Sequence, residues 1–266
     1  MEATPRPPEV AHAESANPWR DRVVLVVGAS RGIGAATAKL FARGGARVVL
    51  ASRDEAALQR VAREIEALGG EVIVQPVDLA EAGSVHRLGM RIERDLGRLD
   101  VAFNNAGEGL PPSPLAEIAP EAFERVLRVT VTGTFLAMRV EIPLMLRSGG
   151  GAIVNMSSTA GLSGYPGGGA YITAKHAVLG LTRSAALDYA ARGIRVNAVA
   201  PGPIDTERLS GLPESYREQV RQAVPMRRIG LPEEVGRVVL WLGSEESRFV
   251  TGATILVDGG RLAGVA

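Results

Sequence analysis

The sequence predicts one α/β domain, a doubly wound parallel sheet of about seven strands with helices on both faces. Three observations carry that expectation. From Arg22 onward, short β-branched runs alternate with longer segments of helical period. The strand runs are apolar almost continuously, without in-and-out alternation, as expected where helices cover both faces of a sheet. The first of them runs straight into a glycine-rich turn and a helix, the opening of a right-handed crossover unit.

Taken in order, "RVVLVV" (22–27) is the first strand and 32–43 the helix after it. "ARVVLA" (46–51) precedes a helix over 54–68, and "EVIVQ" (71–75) one over 81–96. "LDVAFN" (99–104) leads to a long helix near 120–147, "GAIVNMS" (151–157) to a helix near 170–191, and "IRVNAV" (194–199) and "GATILVD" (252–258) are the last strands. Residues 1–18 hold four prolines and almost no large apolar side chains, too little to offset the entropy of ordering. Residues 1–20 therefore read as a flexible tail and 21–266 as the domain. The segment 201–234 is too long for an ordinary connection and too polar for core. It reads either as a lid over a ligand, near 203–230, or as a surface excursion with one short helix.

Composition narrows the function classes. The 30 basic and 29 acidic side chains nearly cancel and are interleaved, without basic blocks, so nothing points to nucleic acid or a membrane surface. There is no cysteine, which excludes disulfides, thiolate metal sites and a thiol nucleophile, and His12, His86 and His176 lack metal-ligand spacing. No apolar run approaches the roughly 18 residues of a membrane span. The N-terminus has prolines and glutamates where a signal peptide would be apolar. A cytoplasmic location is the expectation.

The turn "GASRGIG" places glycines at 28, 32 and 34 between the first strand and its helix. Glycines there allow positive φ and close backbone approach, so a pyrophosphate can sit on the amides of the helix N-terminus. A structural tight turn is the plainer alternative. The residues after the second strand bear on the adenosine ribose, where an acid suits a 2′-hydroxyl and a base suits a 2′-phosphate. Two countings disagree. Asp54 lies 20 residues beyond Gly34, close to the spacing of an NAD-type acid, whereas the strand end puts Ser52 and Arg53 at its tip. Position at the carboxyl edge decides what reaches the ribose, so Ser52, Arg53 and Arg31 make a pocket that favours NADP(H) over NAD(H).

In "GGGAYITAKHAV" (167–178), Tyr171 stands four residues before Lys175, one of only two lysines among the 30 basic side chains. That spacing puts a phenol and an ammonium on one helix face. A positive charge beside a phenol lowers its pKa from about 10, making a general acid or base. Lysine, unlike arginine, is a compact charge with three rotatable donors.

With these residues the chain resembles the short-chain dehydrogenase/reductase family over 22–260. The resemblance rests on "GASRGIG" and "YITAK", with "VDL" (77–79), "NNAG" (104–107), "NMSS" (155–158), "NAVAPGPIDT" (197–206) and "VTGATILVDGG" (250–260). It implies a Rossmann-type fold whose glycine turn, Gly28, Ser30, Arg31, Gly32, Ile33 and Gly34, holds the dinucleotide. By resemblance Asp78 and Leu79 meet the adenine, and Asn105, Ala106 and Gly107 line the adenosine ribose. Pro201, Gly202, Ile204 and Thr206 would hold the nicotinamide end. Ser158, thirteen residues before Tyr171, matches the catalytic serine that bonds the substrate oxygen while Tyr171 moves the proton. Lys175 would bind the nicotinamide ribose and keep Tyr171 acidic.

Two positions depart from the family pattern. Val27 stands where a threonine usually opens the glycine turn, a change of modest structural weight. Thr130, in "VTVTG", stands where an asparagine normally holds a water of the proton relay. Three readings are open: Thr130 holds that water in altered geometry, the relay takes another route, or turnover is slow. A helical threonine can also bond its own preceding turn. The expected function is NADP(H)-dependent interconversion of a carbonyl and a secondary alcohol, without a metal. 3-Oxoacyl-thioester reduction is the nearest rival, and a non-catalytic dinucleotide-binding regulator the alternative of another class. Residues 108–110, 159–166 and 207–226 are expected around a small or medium, mostly uncharged ketone. The family resemblance implies a homotetramer built on the two long helices.

Overall fold

The computed structural model describes residues 18–264. Among them seven strands form one sheet: β1 (Val23–Val27), β2 (Arg47–Ser52), β3 (Glu71–Pro76), β4 (Val101–Asn104), β5 (Gly151–Met156), β6 (Ile194–Pro201) and β7 (Thr254–Val257). All pair in parallel, in the order β3-β2-β1-β4-β5-β6-β7. The near-continuous apolar runs have their reason in this order. β1 and β4 lie mid-sheet and bury every residue, whereas the edge strands β3 and β7 are only partly covered.

One face carries α1 (Gly32–Arg43), α2 (Glu55–Glu66) and, at the far end of the chain, α9 (Pro232–Gly243). The other carries α3 (Ala82–Leu96), α4 (Pro120–Leu127), α5 (Gly133–Arg147) and α6 (Gly169–Tyr189). Two apolar cores follow. Phe41, Leu50, Leu58, Phe103 and Leu242 belong to the first, and Leu25, Leu88, Met145 and Ile153 to the second. No element is expected from the sequence over 235–251, yet α9 packs closely on α1. Its signals are Pro232 at the first turn, the acids Glu233 and Glu234, and Val235, Val239 and Leu242 at helical spacing.

Four expectations need correction. The long helix near 120–147 is interrupted between α4 and α5 by a π-helical turn, Arg128–Thr132, which carries Thr130. The segment after β6 holds two short helices, α7 (Glu207–Ser210) and α8 (Glu214–Gln222), where one was expected. Its base is closed by a bridge between Ile204 and Gly230. Most of the tail assigned to residues 1–20 lies outside the described residues, but Trp19 belongs to the domain. It is buried, stands edge-on to Phe41 at 4.7 Å, and donates its backbone N–H to the Gly44 carbonyl at 2.9 Å. Finally, the stretch Pro120–Arg147 is long and apolar enough, by length and composition alone, to cross a membrane. Here it packs on the sheet, with Met138, Ile142 and Met145 buried in the second core.

The strand order reverses between β1 and β4, and so do the directions of the connections leaving them. A crevice opens at the carboxyl ends of strands flanking such a reversal. The residues singled out in the sequence gather there.

Candidate active site

The glycine turn joins the end of β1 to α1. Gly28 and Gly32 have φ of 82° and 54°, conformations that side chains rarely take. Gly34 is helical, but a Cβ there would run into the Gly28 carbonyl, so the third glycine sets how closely α1 approaches β1. Without a hydroxyl at Val27, the backbone braces this turn. The amides of Asn105 and Ala106 donate to the Val27 carbonyl at 3.0 and 3.1 Å, and Asn105 Nδ2 donates to the Gly28 carbonyl at 2.9 Å. No side chain caps the N-terminus of α1. Its first amides are left to an anion, as a pyrophosphate requires.

β2 ends at Ser52, so Arg53 and Asp54 are the first residues beyond its tip. Asp54 caps α2, its carboxylate accepting from the Ala57 amide at 2.9 Å. Arg53 and Arg31 are exposed, and neither side chain has a partner among the described residues. Ser52 Oγ is buried without a hydrogen-bond partner. A cleft of about 520 Å³ opens beside this region, lined by Ser30, Arg31, Gly32, Asp54, Thr206 and Glu207 among others. The orphaned hydroxyl, the uncapped helix and the two free guanidinium groups fit a phosphate-bearing dinucleotide. After β3, Asp78 accepts from the Ala80 amide at 2.9 Å, and Leu79 is buried against Gly133 of α5.

The catalytic candidates converge from β5 and α6. Ser158 lies two residues beyond β5, where its Oγ accepts from the Ala160 amide at 3.2 Å and keeps its own proton to donate. Tyr171 and Lys175 occupy the first two turns of α6. Ser157 Oγ donates to the Lys175 carbonyl at 3.0 Å, tying that helix to the strand end.

The electrostatics differ from expectation. Burial pushes the Tyr171 phenol above its ordinary value, and the Ser158 hydroxyl draws it partly back. The Lys175 ammonium is turned to the Met156 carbonyl, to which it donates at 2.8 Å, and sits 5.6 Å from the centre of the Tyr171 ring. Burial brings Lys175 down to about 8. Desolvation is the largest influence on both groups, raising the phenol and lowering the ammonium, where a phenol lowered by the lysine charge was expected.

Thr130 is fully buried, and its Oγ1 accepts from the Glu108 amide at 3.0 Å. It binds neither its own preceding turn nor Lys175. Instead it pins the loop that follows Asn105, Ala106 and Gly107. At the end of β6 and beyond it, Pro201 and Ile204 are buried, Gly202 packs on Asp258, and the Thr206 side chain stands over Gly32.

Beneath the site lies a polar cluster that the sequence reading omits. Asn104 Nδ2 donates to Glu141 Oε2 at 3.1 Å and to Asn155 Oδ1 at 3.0 Å, and Asn155 Nδ2 donates to Thr182 Oγ1 at 3.0 Å. The available signal was an acid in the apolar run "GTFLAMRVEIPLML".

A family model described as Enoyl-(Acyl carrier protein) reductase matches residues 28–261. The chain is 42% identical over 246 residues to an A-factor type gamma-butyrolactone 1'-reductase (1S-forming) of Streptomyces virginiae, covering 90% of this chain and 95% of that protein. It is 42% identical over 245 residues to a cis-4-hydroxycyclohexanecarboxylate dehydrogenase of Sinomonas cyclohexanicum, covering 92% and 98%. Among solved structures, that of levodione reductase superposes with a TM-score of 0.89 at 31% identity, covering 93% of this chain and all of that one.

Proposed function

Because the chain belongs to the short-chain dehydrogenase/reductase family, and so is an oxidoreductase working on carbonyls and alcohols with an NAD(P) dinucleotide, we propose NADP(H) as its cofactor and a ring-bearing secondary alcohol or ketone as its substrate. The observation that carries the chemistry is the placement of Ser158 just beyond β5 and of Tyr171 and Lys175 in the first two turns of α6, which Ser157 Oγ ties to the strand end, beside the crevice where the sheet order reverses. The ring substrate is supported by the names of the two relatives, a butyrolactone reductase and a cyclohexanecarboxylate dehydrogenase. NADP(H) is supported by the unpartnered Arg31 in the glycine turn and Arg53 at the tip of β2, and by Asp54, whose carboxylate is committed to capping α2.

When bound, the nicotinamide supplies or accepts the hydride. In reduction, Ser158 donates its hydroxyl proton as a hydrogen bond to the substrate oxygen and polarises the carbonyl. Tyr171 then gives its phenolic proton to that oxygen as negative charge develops. A phenol held above its ordinary value stays protonated at neutral pH and is ready to donate. Lys175 sits one helical turn along α6 to hold the ribose side and replenish the proton. Thr130 keeps the Glu108 loop in register beside them. The segment between Ile204 and Gly230 serves as the lid, with Thr206 already over the glycine turn.

Two measurements test this. Tyr171→Phe is expected to lower turnover of cyclic ketones by on the order of 10²- to 10⁴-fold while cofactor Kd stays within about twofold. NADP⁺ is expected to bind at least about tenfold tighter than NAD⁺, a margin that Arg53→Gln narrows, as loss of a charge-assisted phosphate contact requires. Equal affinity for both dinucleotides would overturn the cofactor assignment.

A further inference from the structure

The segment between Ile204 and Gly230 carries arginines at 208, 217, 221, 227 and 228. Four are engaged. Arg217 bonds Glu214 at 3.0 Å, Arg221 bonds Glu218 at 2.7 Å, Arg227 bonds the Gln222 carbonyl at 2.6 Å, and Arg228 bonds Glu234 at 2.6 Å. Arg208, on α7, has no side-chain partner among the described residues.

Its guanidinium is aimed at the active site. Both Nη1 and Nη2 lie 3.4 Å from the point a Cβ of Gly109 would occupy, and Tyr171 Cδ2 lies 3.4 Å from the same point. The arginine therefore crosses the bare Cα of Gly109 alongside the catalytic phenol. Burial raises both Tyr171 and Tyr165, and the Arg208 charge offsets part of that rise at each. Two of the nearby acids are engaged elsewhere: Glu108 accepts from Arg125 at 2.8 Å and Asp205 pairs with Arg217 at 3.7 Å, while the Glu207 carboxylate stands beside Gly32.

Resting on the reading of this site as a carbonyl and alcohol centre, we propose that its substrate bears an anionic group, a carboxylate, received by the Arg208 guanidinium beside Tyr171. A planar guanidinium with its fork of donors unspent matches a carboxylate in two parallel hydrogen bonds. A carboxylate held there places the rest of a small ring against Tyr171 and Ser158. On this proposal the ketone is anionic, where the sequence led to the expectation of a mostly uncharged one.

The test pairs two ketones that differ in one group, cyclohexanone and 4-oxocyclohexanecarboxylate, with saturating NADPH, on the parent protein, Arg208→Gln and Arg208→Lys. The parent is expected to show at least a tenfold higher kcat/KM for the carboxylate. Arg208→Gln should cut that ratio at least tenfold, mainly through KM, and Arg208→Lys should restore part of it. If Arg208→Gln slows both ketones equally and moves the pH profile instead, the arginine serves the phenol and the proposal is overturned. Turnover of cyclohexanone with no gain from the carboxylate also overturns it and leaves the carbonyl reading standing. Failure to reduce either ketone brings down both.

Discussion

Glu141→Gln exchanges a carboxyl for an amide of nearly the same shape at a fully buried position on α5. Only Oε2 of Glu141 is bonded, by Asn104. Oε1 and the facing Asn104 Oδ1 have no partner, so the cluster has no cation to stabilise a carboxylate. Burial raises Glu141 to about 8 from an ordinary 4.5. In the unfolded chain the group ionises near its ordinary value, so between the two values the native state holds a proton that the unfolded state has released. Stability then falls as pH rises through that window, at about 1.4 kcal/mol per pH unit. From pH 5.5 to 8.5 the loss works out at about 3 kcal/mol. Glutamine cannot titrate, and Lys175, which also titrates near 8, is common to both proteins and cancels in their difference. Urea unfolding at the two pH values should therefore show the stability difference, parent minus Glu141→Gln, falling by about 3 kcal/mol at the higher pH. A difference constant to within about 0.5 kcal/mol would refute the reasoning.

Two further predictions concern the site. The chain has only Lys39 and Lys175, so ¹³C-lysine NMR gives two side-chain signals that Lys39→Arg assigns. The Lys175 signal should titrate near 8, charged below and neutral above; a midpoint of 10 or higher would show that burial does not govern it. Thr130→Val leaves the Glu108 amide without its acceptor and should cost about 1–3 kcal/mol in thermal or urea unfolding, with weaker cofactor binding. Thr130→Asn, whose amide oxygen can accept that bond, should preserve or raise turnover. A valine variant as stable and active as the parent would remove the bracing role.

Much of the fold was legible because its signals are local. The strands, most of the helices and the glycine turn are written in runs of 4 to 21 residues whose period matches their own geometry. Ser158, Tyr171 and Lys175 were legible as a spaced motif, and the helix keeps Tyr171 and Lys175 on one face whatever surrounds it. Helix α9 was missed although its signals are local too. It follows a polar segment that carries no apolar period, and Pro232 marks both the end of that segment and the first turn of the helix.

What lay beyond the sequence depends on partners far along the chain. The reversal of strand order at β1 and β4, which makes the crevice, is a choice among packings open to the same elements. The π-helical turn at Thr130 is a break in helical hydrogen bonding, and its hydroxyl finds an acceptor's role with Glu108, 22 residues away in sequence. Motif reading foresaw a lysine lowering a phenol. Desolvation reversed that sign, because burial is a property of the assembled core and no spacing encodes it. Arg208 was one arginine among many until tertiary packing left its neighbours paired and laid it across Gly109. The sequence by itself determined most of the elements and the spaced motif that makes Ser158, Tyr171 and Lys175 the catalytic candidates. Only the tertiary structure decided the charges those residues bear and the groups they face, since both arise from contacts between segments that local periodicity does not relate.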